Sequence, residues 1–206
     1  MAHNIFQTLH AEHDVLRSLT ELALKTTGNS GRRELIWYRL KMALTLHAEA
    51  EERSLYRALQ RHPSTEELAT HSIVEHDAIE ELIHQLDHIG FDQPAWLSTL
   101  ERLAEVSEHH LAEEERELFP VAGRVLSATE KEDCAKSYLD HYNAQTRLVA
   151  NAMRRTTRTG VDGRTLESRP LDELEELANE RDIDAQELNR SQLISALRNA
   201  PSADLH

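Results

Sequence analysis

Apolar positions three and four residues apart recur along four long stretches of the chain. Each such stretch predicts a helix with one buried face. The first runs from a capping Asn4 to about Thr26, with Phe6, Leu9, His13, Leu16, Thr20 and Ala23 on one stripe. A GNSG turn at 28–31 leads into the second, which runs to about Arg61 with Ile36, Leu40, Ala43, His47, Glu51, Ser54 and Ala58 inward. The third follows HPS at 62–64, where Ser64 and Glu67 read as a capping box. It buries Ala69, Ser72, His76, Ile79 and Ile83 and stops near Gly90. The fourth opens with Asp92 as cap and Pro94 in the first turn. Its stripe is Leu100, Leu103, Ser107, His110, Glu114 and then Leu118 or Val121, and Pro120 is expected to bend it.

Short connections between long helices make antiparallel neighbours, so the pattern predicts an all-α, up-down-up-down four-helix bundle. Ser127 and Glu130 form a further capping box, which opens a fifth helix to about Arg158 that packs outside the bundle. Residues 156–169 are polar, carry two glycines, lack apolar periodicity and read as a linker. Beyond it, Leu171, Leu174, Leu177 and Ala178 mark one short amphipathic helix, and Leu193, Ile194 and Leu197 another, with a connection around Ile183. The expected organisation is a bundle over 1–155, a linker over 156–169 and a small helical module over 170–206.

The bundle carries an internal echo. HAEAEERSLY from His47 returns as HLAEEERELF from His110, and EHDVLRSL from Glu12 returns as EHDAIEEL from Glu75. Both echoes share an offset of 63 residues, which points to a duplicated helix pair.

Composition agrees with helix: Ala, Leu, Glu and Arg abound and aromatics are 4% of the 206 residues. With 23 basic and 37 acidic residues the net charge is −14, which disfavours broad contact with phosphate backbones. The lone Cys134 forms no internal disulfide and builds no thiolate site alone, so it reads as buried and inert. No basic-then-apolar leader is seen at the start and no apolar run approaches the ~18 residues that span a bilayer. A cytoplasmic, reducing setting is expected.

Histidine changes the picture, at 13 residues. A histidine four residues before a glutamate lies about one turn away on the same helix face. That spacing is common here: His62/Glu66, His71/Glu75, His76/Glu80 and His109/Glu113 satisfy it too and read as accidents of an acid- and His-rich chain. His47/Glu51 and His110/Glu114 stand apart because they sit on core faces and repeat in register. A lone His on an apolar stripe is commonly a satisfied core residue, and a run such as EAEER is commonly a solvated face. Two carboxylates buried with four imidazoles, and no Lys or Arg on the stripes, need a compensating charge. A bound cation supplies it. The six groups are His13, His47, Glu51, His76, His110 and Glu114. They exceed one tetrahedral zinc and suit two metals, two His on each with Glu51 and Glu114 bridging. Mixed N/O donors favour iron over calcium or magnesium, with manganese or zinc as substitutes.

The order His, H-x3-E, His, H-x3-E, with EERSLY and EERELFP after the two pairs, resembles the hemerythrin-like (HHE cation-binding) family over about residues 3–155. The resemblance implies a bundle holding an oxo- or hydroxo-bridged non-haem di-iron centre, with the six residues above as ligands. It implies O2 binding, sensing of O2, NO or iron, or peroxide chemistry. Oxygen carriers of that family have a fifth His, and an Asp rather than Glu on the fourth helix. Here the third helix offers only Glu80 or Ser72 near His76, and Glu80 reads either as a ligand or as a surface residue. One imidazole fewer argues against stable O2 carriage and for peroxide turnover or iron sensing. The ferritin-like alternative uses Glu-x-x-His on two helices, and here only Glu81 with His84 fits that spacing on a candidate helix.

Several residues stand beside this set. His84 and His88 read as surface residues, with a path into the site as the second reading. Tyr56 and Phe119 read as bundle-end packing, with a lid as the second reading. Tyr138 and Tyr142 read as packing. The C-terminal module resembles the Rho-terminator N-terminal (SAP-like) helix–loop–helix on LDELEELANERDI and SQLISAL. Residues 171–199 hold eight acids and three arginines, so protein docking is preferred over nucleic acid. Linker arginines 154, 155, 158, 164 and 169 are the phosphate-contacting alternative. Three roles remain open: a peroxide-removing enzyme, a sensor or binder of O2, H2O2 or NO, and an adaptor acting through its tail.

Overall fold

The computed structural model describes residues 4–28, 31–158, 166, 169–179, 183–185 and 188–199, for 151–158 and 199 the backbone only. It divides into two units, residues 1–145 and 146–206. Residues 159–165, 167 and 168, within the stretch read as a linker, lie outside the described set.

In the first unit, α1 (Ile5–Leu24) starts on Asn4, whose side chain accepts from the Gln7 N–H while Gln7 returns the bond to the Asn4 N–H. Gly28, at φ +64°, helps turn the chain into α2 (Gly31–Glu51). A π-helical turn, Glu52–Tyr56, and the short α3 (Arg57–Leu59) finish that arm. α4 spans Glu66–His88 and α5 spans Pro94–Glu113. A second π turn, Glu114–Leu118, leads to α6 (Phe119–Val125), and α7 covers Ala128–Arg158. α1 lies against α2 and α5, and α4 lies against α5 and α2, which closes the four-helix bundle.

Two boundary expectations are corrected. The Ser64/Glu67 box does not form. Thr65 stands at the start of α4 without a side-chain cap bond, and its hydroxyl donates to the carbonyls of Leu59 and His62 instead. Gln93, not Asp92, is the cap of α5, with Pro94 in the first turn as expected. Pro120 was expected to bend the fourth arm. It lies in α6 two residues after the π turn Glu114–Leu118, and the chain stays helical through both. The Ser127/Glu130 box does form at the start of α7.

Each π turn inserts one residue into the helical count. Downstream of Glu51 the buried positions therefore shift from an expected Ala58 to Leu55, Tyr56 and Leu59. Phe119 and Ala122 become buried in the other arm by the same step. Two apolar clusters result. One packs Ile5, Leu9, Leu55, Leu59, Leu118 and Tyr138, and the other packs Leu16, Leu40, Ile83, Trp96, Leu100 and Leu103. On each helix the core histidine lies in sequence between residues of these two clusters.

At the second end Arg33 is buried and donates to Thr26 O, Thr26 Oγ1 and Phe91 O, with its guanidinium over Trp96. It ties the α1–α2 loop to the α4–α5 loop. Arg33→Ala is expected to cost about 2–4 kcal/mol, because buried carbonyls lose a charged donor and a cavity opens. Urea unfolding monitored by circular dichroism checks this. A loss below about 0.5 kcal/mol, the range of ordinary surface substitutions, would remove Arg33 from that role.

In the second unit α8 (Leu171–Asn179) and α9 (Arg190–Asn199) pack around Leu166, Leu174, Ala178, Leu193 and Leu197. Asn189 and Gln192 exchange a reciprocal cap at the start of α9. Among the described residues no helix is long and apolar enough to cross a membrane.

Candidate metal centre

α1, α2, α4 and α5 each deliver one buried histidine: His13, His47, His76 and His110. Glu51 and Glu114, one turn after His47 and His110, are equally buried. Glu51 Oε2 lies 3.1 Å from His47 Nε2 and 3.5 Å from His76 Nε2. Glu114 Oε2 lies 3.3 Å from His13 Nε2 and 3.8 Å from His110 Nε2. Each carboxylate thus spans a histidine pair drawn from both halves of the duplication. Two groups able to hold a cation result: His13, His47, Glu51 and Glu114, and Glu51, His76 and His110. All six residues singled out from the sequence come together.

The outer nitrogens explain why every Nε2 faces inward. His13 Nδ1 meets Glu115 Oε1 at 2.8 Å, His76 Nδ1 meets Glu52 Oε1 at 3.0 Å, and His110 Nδ1 meets Glu75 Oε2 at 2.9 Å. A carboxylate only accepts, so these Nδ1 atoms carry the proton and the Nε2 lone pairs point into the cage. His47 Nδ1 meets the Tyr138 hydroxyl at 2.9 Å. Arg17 in turn holds Glu115, with Nη1 to Oε1 at 2.9 Å.

Sequence reasoning missed these partners. Glu52 and Glu115 sit in charge runs read as solvated, and Tyr138, read as packing, is a polar neighbour of His47 from α7. Tyr56 is also corrected. It is fully buried and donates to Glu114 Oε1 at 2.6 Å, with Glu51 Oε2 and His76 Nε2 each at 3.5 Å. Its duplicate, Phe119, stacks on His13 instead. An aromatic five residues after each core Glu, the span of a π turn, was the one available signal.

The donor set fits metal ions. His13 Nε2, His47 Nε2, Glu51 Oε1 and Glu114 Oε2 are buried without a hydrogen-bond partner, and buried polar atoms are rarely left so. His76 Nε2 and His110 Nε2 face each other at 3.0 Å. With both Nδ1 atoms protonated, two lone pairs at that distance repel unless a proton or cation lies between them.

Electrostatics tell the same story for the metal-free protein. Burial alone would lower the pKa of His76, but Glu51 and Glu52 outweigh it and push it up to about 9. His13 is raised too, as Glu114, Glu51 and Glu115 overcome its burial. Glu51 is held well below its usual value, because His47 and His76 override the burial that would raise it. Glu115, despite partial burial, falls to about 2 through Arg17 and His13. Burial, with Glu114 and Glu51 adding to it, drives the Tyr56 hydroxyl well above its usual value and keeps it a donor.

A cavity of about 10 Å³ abuts the cage, walled by Leu44, Ile79 and Leu111 and by the rings of His47, His76 and His110. A groove of about 150 Å³ runs past Glu49, Glu52, Asp77, Glu80 and His76. Glu80 is exposed, lines this groove and belongs to neither cation-holding group. His84 and His88 are exposed, with their rings 4.4 Å apart and tilted by 38°. Cys134 is buried, and burial pushes its thiol up to about 11, which keeps it inert.

The profile of the "Hemerythrin HHE cation binding domain" family matches residues 4–122. Among solved structures, the chain resembles a hemerythrin HHE cation binding domain-containing protein from Mycobacterium kansasii. That match has a TM-score of 0.65 and 23% identity, over 75% of this chain and 93% of the other. No curated protein matches the chain.

Proposed function

This chain belongs to the hemerythrin HHE cation-binding domain family, and we propose that its buried cage holds a pair of non-haem iron ions and handles O2, peroxide or nitric oxide. His13 and His47 would hold one ion, His76 and His110 the other, with Glu51 and Glu114 shared. A bound iron pair supplies Lewis acidity and two-electron redox capacity. The observation that carries the reading is the set of four orphaned donor atoms converging in one buried layer. Beside it lies a chamber with room for about one water-sized molecule. Leu44, Ile79 and Leu111 give this chamber an apolar wall opposite the imidazoles of His47, His76 and His110. Tyr56 fixes Glu114 and keeps a hydroxyl proton at the centre.

Metal analysis with an optical spectrum, on protein purified without added metal, tests the proposal. An iron pair per chain with near-ultraviolet charge-transfer absorption supports it, and a single zinc per chain overturns it. Catalytic O2 evolution from H2O2 that disappears in His110→Ala would make the protein an enzyme. A stable O2 or NO adduct without turnover would make it a sensor or binder.

The Tyr138 hydroxyl orients His47, so Tyr138→Phe is expected to weaken metal binding about 10-fold while the ring keeps its packing. Competitive chelator titration reads the loss, and unchanged affinity would reduce Tyr138 to packing.

For the C-terminal unit the reading is protein docking, supported by eight acids against three arginines over 171–199. A 1–160 truncation that keeps the metal and loses a protein partner supports it. Tail-dependent binding of DNA or RNA would overturn it.

A further inference from the structure

Two of the His/Glu pairs that looked accidental in the sequence meet on the outside of the bundle. His71 and Glu75 lie one turn apart on α4, and His109 and Glu113 one turn apart on α5. His71 Nε2 lies 3.4 Å from Glu113 Oε1 and 3.9 Å from Glu75 Oε1. His109 Nε2 lies 3.2 Å from Glu113 Oε2 and 3.8 Å from Glu75 Oε1. Donor atoms of His71, Glu75 and Glu113 all fall within 4.8 Å of one another. The two histidines are 55% and 66% exposed, so the cluster is open to solvent.

Two further observations set it apart from a surface ion-pair network. Glu75 is only 14% exposed, and its other oxygen accepts from His110 Nδ1 at 2.9 Å, which fixes the carboxylate in advance. The duplication also supplies an internal control. At the 63-residue offset the equivalents of His71, Glu75, His109 and Glu113 are Thr8, Glu12, Leu46 and Ala50. On that half α7 covers the surface: Ala50 packs in one cluster with Cys134 and Tyr138, and Tyr138 takes the position on His47 that Glu75 takes on His110. The half without the covering helix therefore carries two imidazoles and one added carboxylate where the other has Thr8, Leu46 and Ala50, while Glu75 keeps the carboxylate of its duplicate, Glu12.

We propose that His71, Glu75, His109 and Glu113 form a solvent-facing site for a borderline divalent cation such as Zn2+ or Fe2+, joined to the buried centre through Glu75. Two nitrogens and two oxygens suit a four-coordinate ion of that class. Glu75 would bind the outer ion through Oε1 while Oε2 holds His110. Outer occupancy then draws charge from the partner of His110 and alters the buried centre. The outer site itself stands whichever ion the buried cage prefers.

The test uses the full chain with its buried centre loaded, titrated with Zn2+ in a calorimeter. Wild type is expected to bind one further Zn2+ per chain at micromolar affinity. His71→Ala/His109→Ala is expected to lose at least about 10-fold in that affinity while retaining the buried metal. In wild type the outer Zn2+ should shift the absorption of the buried centre, and in Glu75→Gln both binding and shift should fall. No additional Zn2+ in wild type, or equal binding by the double variant, overturns the proposal. Zn2+ binding without a spectral shift overturns the coupling through Glu75. If the buried centre holds no iron, the difference between wild type and double variant still decides the outer site.

Discussion

Replacing Glu51 with alanine is expected to empty both metal positions, not one. Glu51 Oε2 is 3.1 Å from His47 and 3.5 Å from His76, which sit in different cation-holding groups. The carboxylate also supplies half of the buried negative charge. Loss of a partner outside the ligand set costs about 10- to 100-fold in affinity, and loss of a shared anionic ligand should exceed ~100-fold. His13→Ala touches only one group and should leave the other able to bind. Metal content by mass spectrometry, beside circular dichroism to confirm folding, separates the two variants. A Glu51→Ala protein that keeps a full pair of ions would end the bridging assignment.

Metal removal should lower stability most at alkaline pH. In the metal-free protein His76 titrates near 9 when folded and near 6.5 when unfolded. A raised folded pKa stabilises fully below 6.5 and ceases to do so as pH rises through 9. Metal-free protein should therefore lose stability across that window. With metal bound, His76 carries no ring proton at Nε2, so this loss should vanish and the gap between the two forms should widen with pH. At acid pH the sign reverses for Glu115, whose pKa falls from 4.5 to about 2 on folding. Its contribution is present above 4.5 and fades as pH falls through 2. Because metal binding displaces protons, affinity should climb from pH 6.5 to 9 as well. Thermal melts with and without a chelator, over about pH 5 to 10, read all of this. A gap that shrinks as pH rises would contradict the proton inventory of the cage.

The positions of His13, His47, Glu51, His76, His110 and Glu114 were legible in the sequence because helical periodicity is local. A residue's place relative to Leu9, Leu44, Ile79 or Leu103 on its own helix decides whether it faces inward. The 63-residue echo added the two-fold plan. Tertiary structure alone decided what the outer nitrogens touch. Tyr138 reaches His47 across 91 residues, and Glu75 reaches His110 across 35. No periodicity within one helix records such pairings, since they depend on which helices become neighbours and how they rotate. The π turns after Glu51 and Glu114 belong to the same class. Each adds a residue to a turn because packing demands it, and that added residue brings Tyr56 to the centre and Phe119 onto His13. The His/Glu pairs on α4 and α5 show the limit most sharply. Taken singly they match the spacing of several others in the chain, and only the packing of two antiparallel helices brings them together.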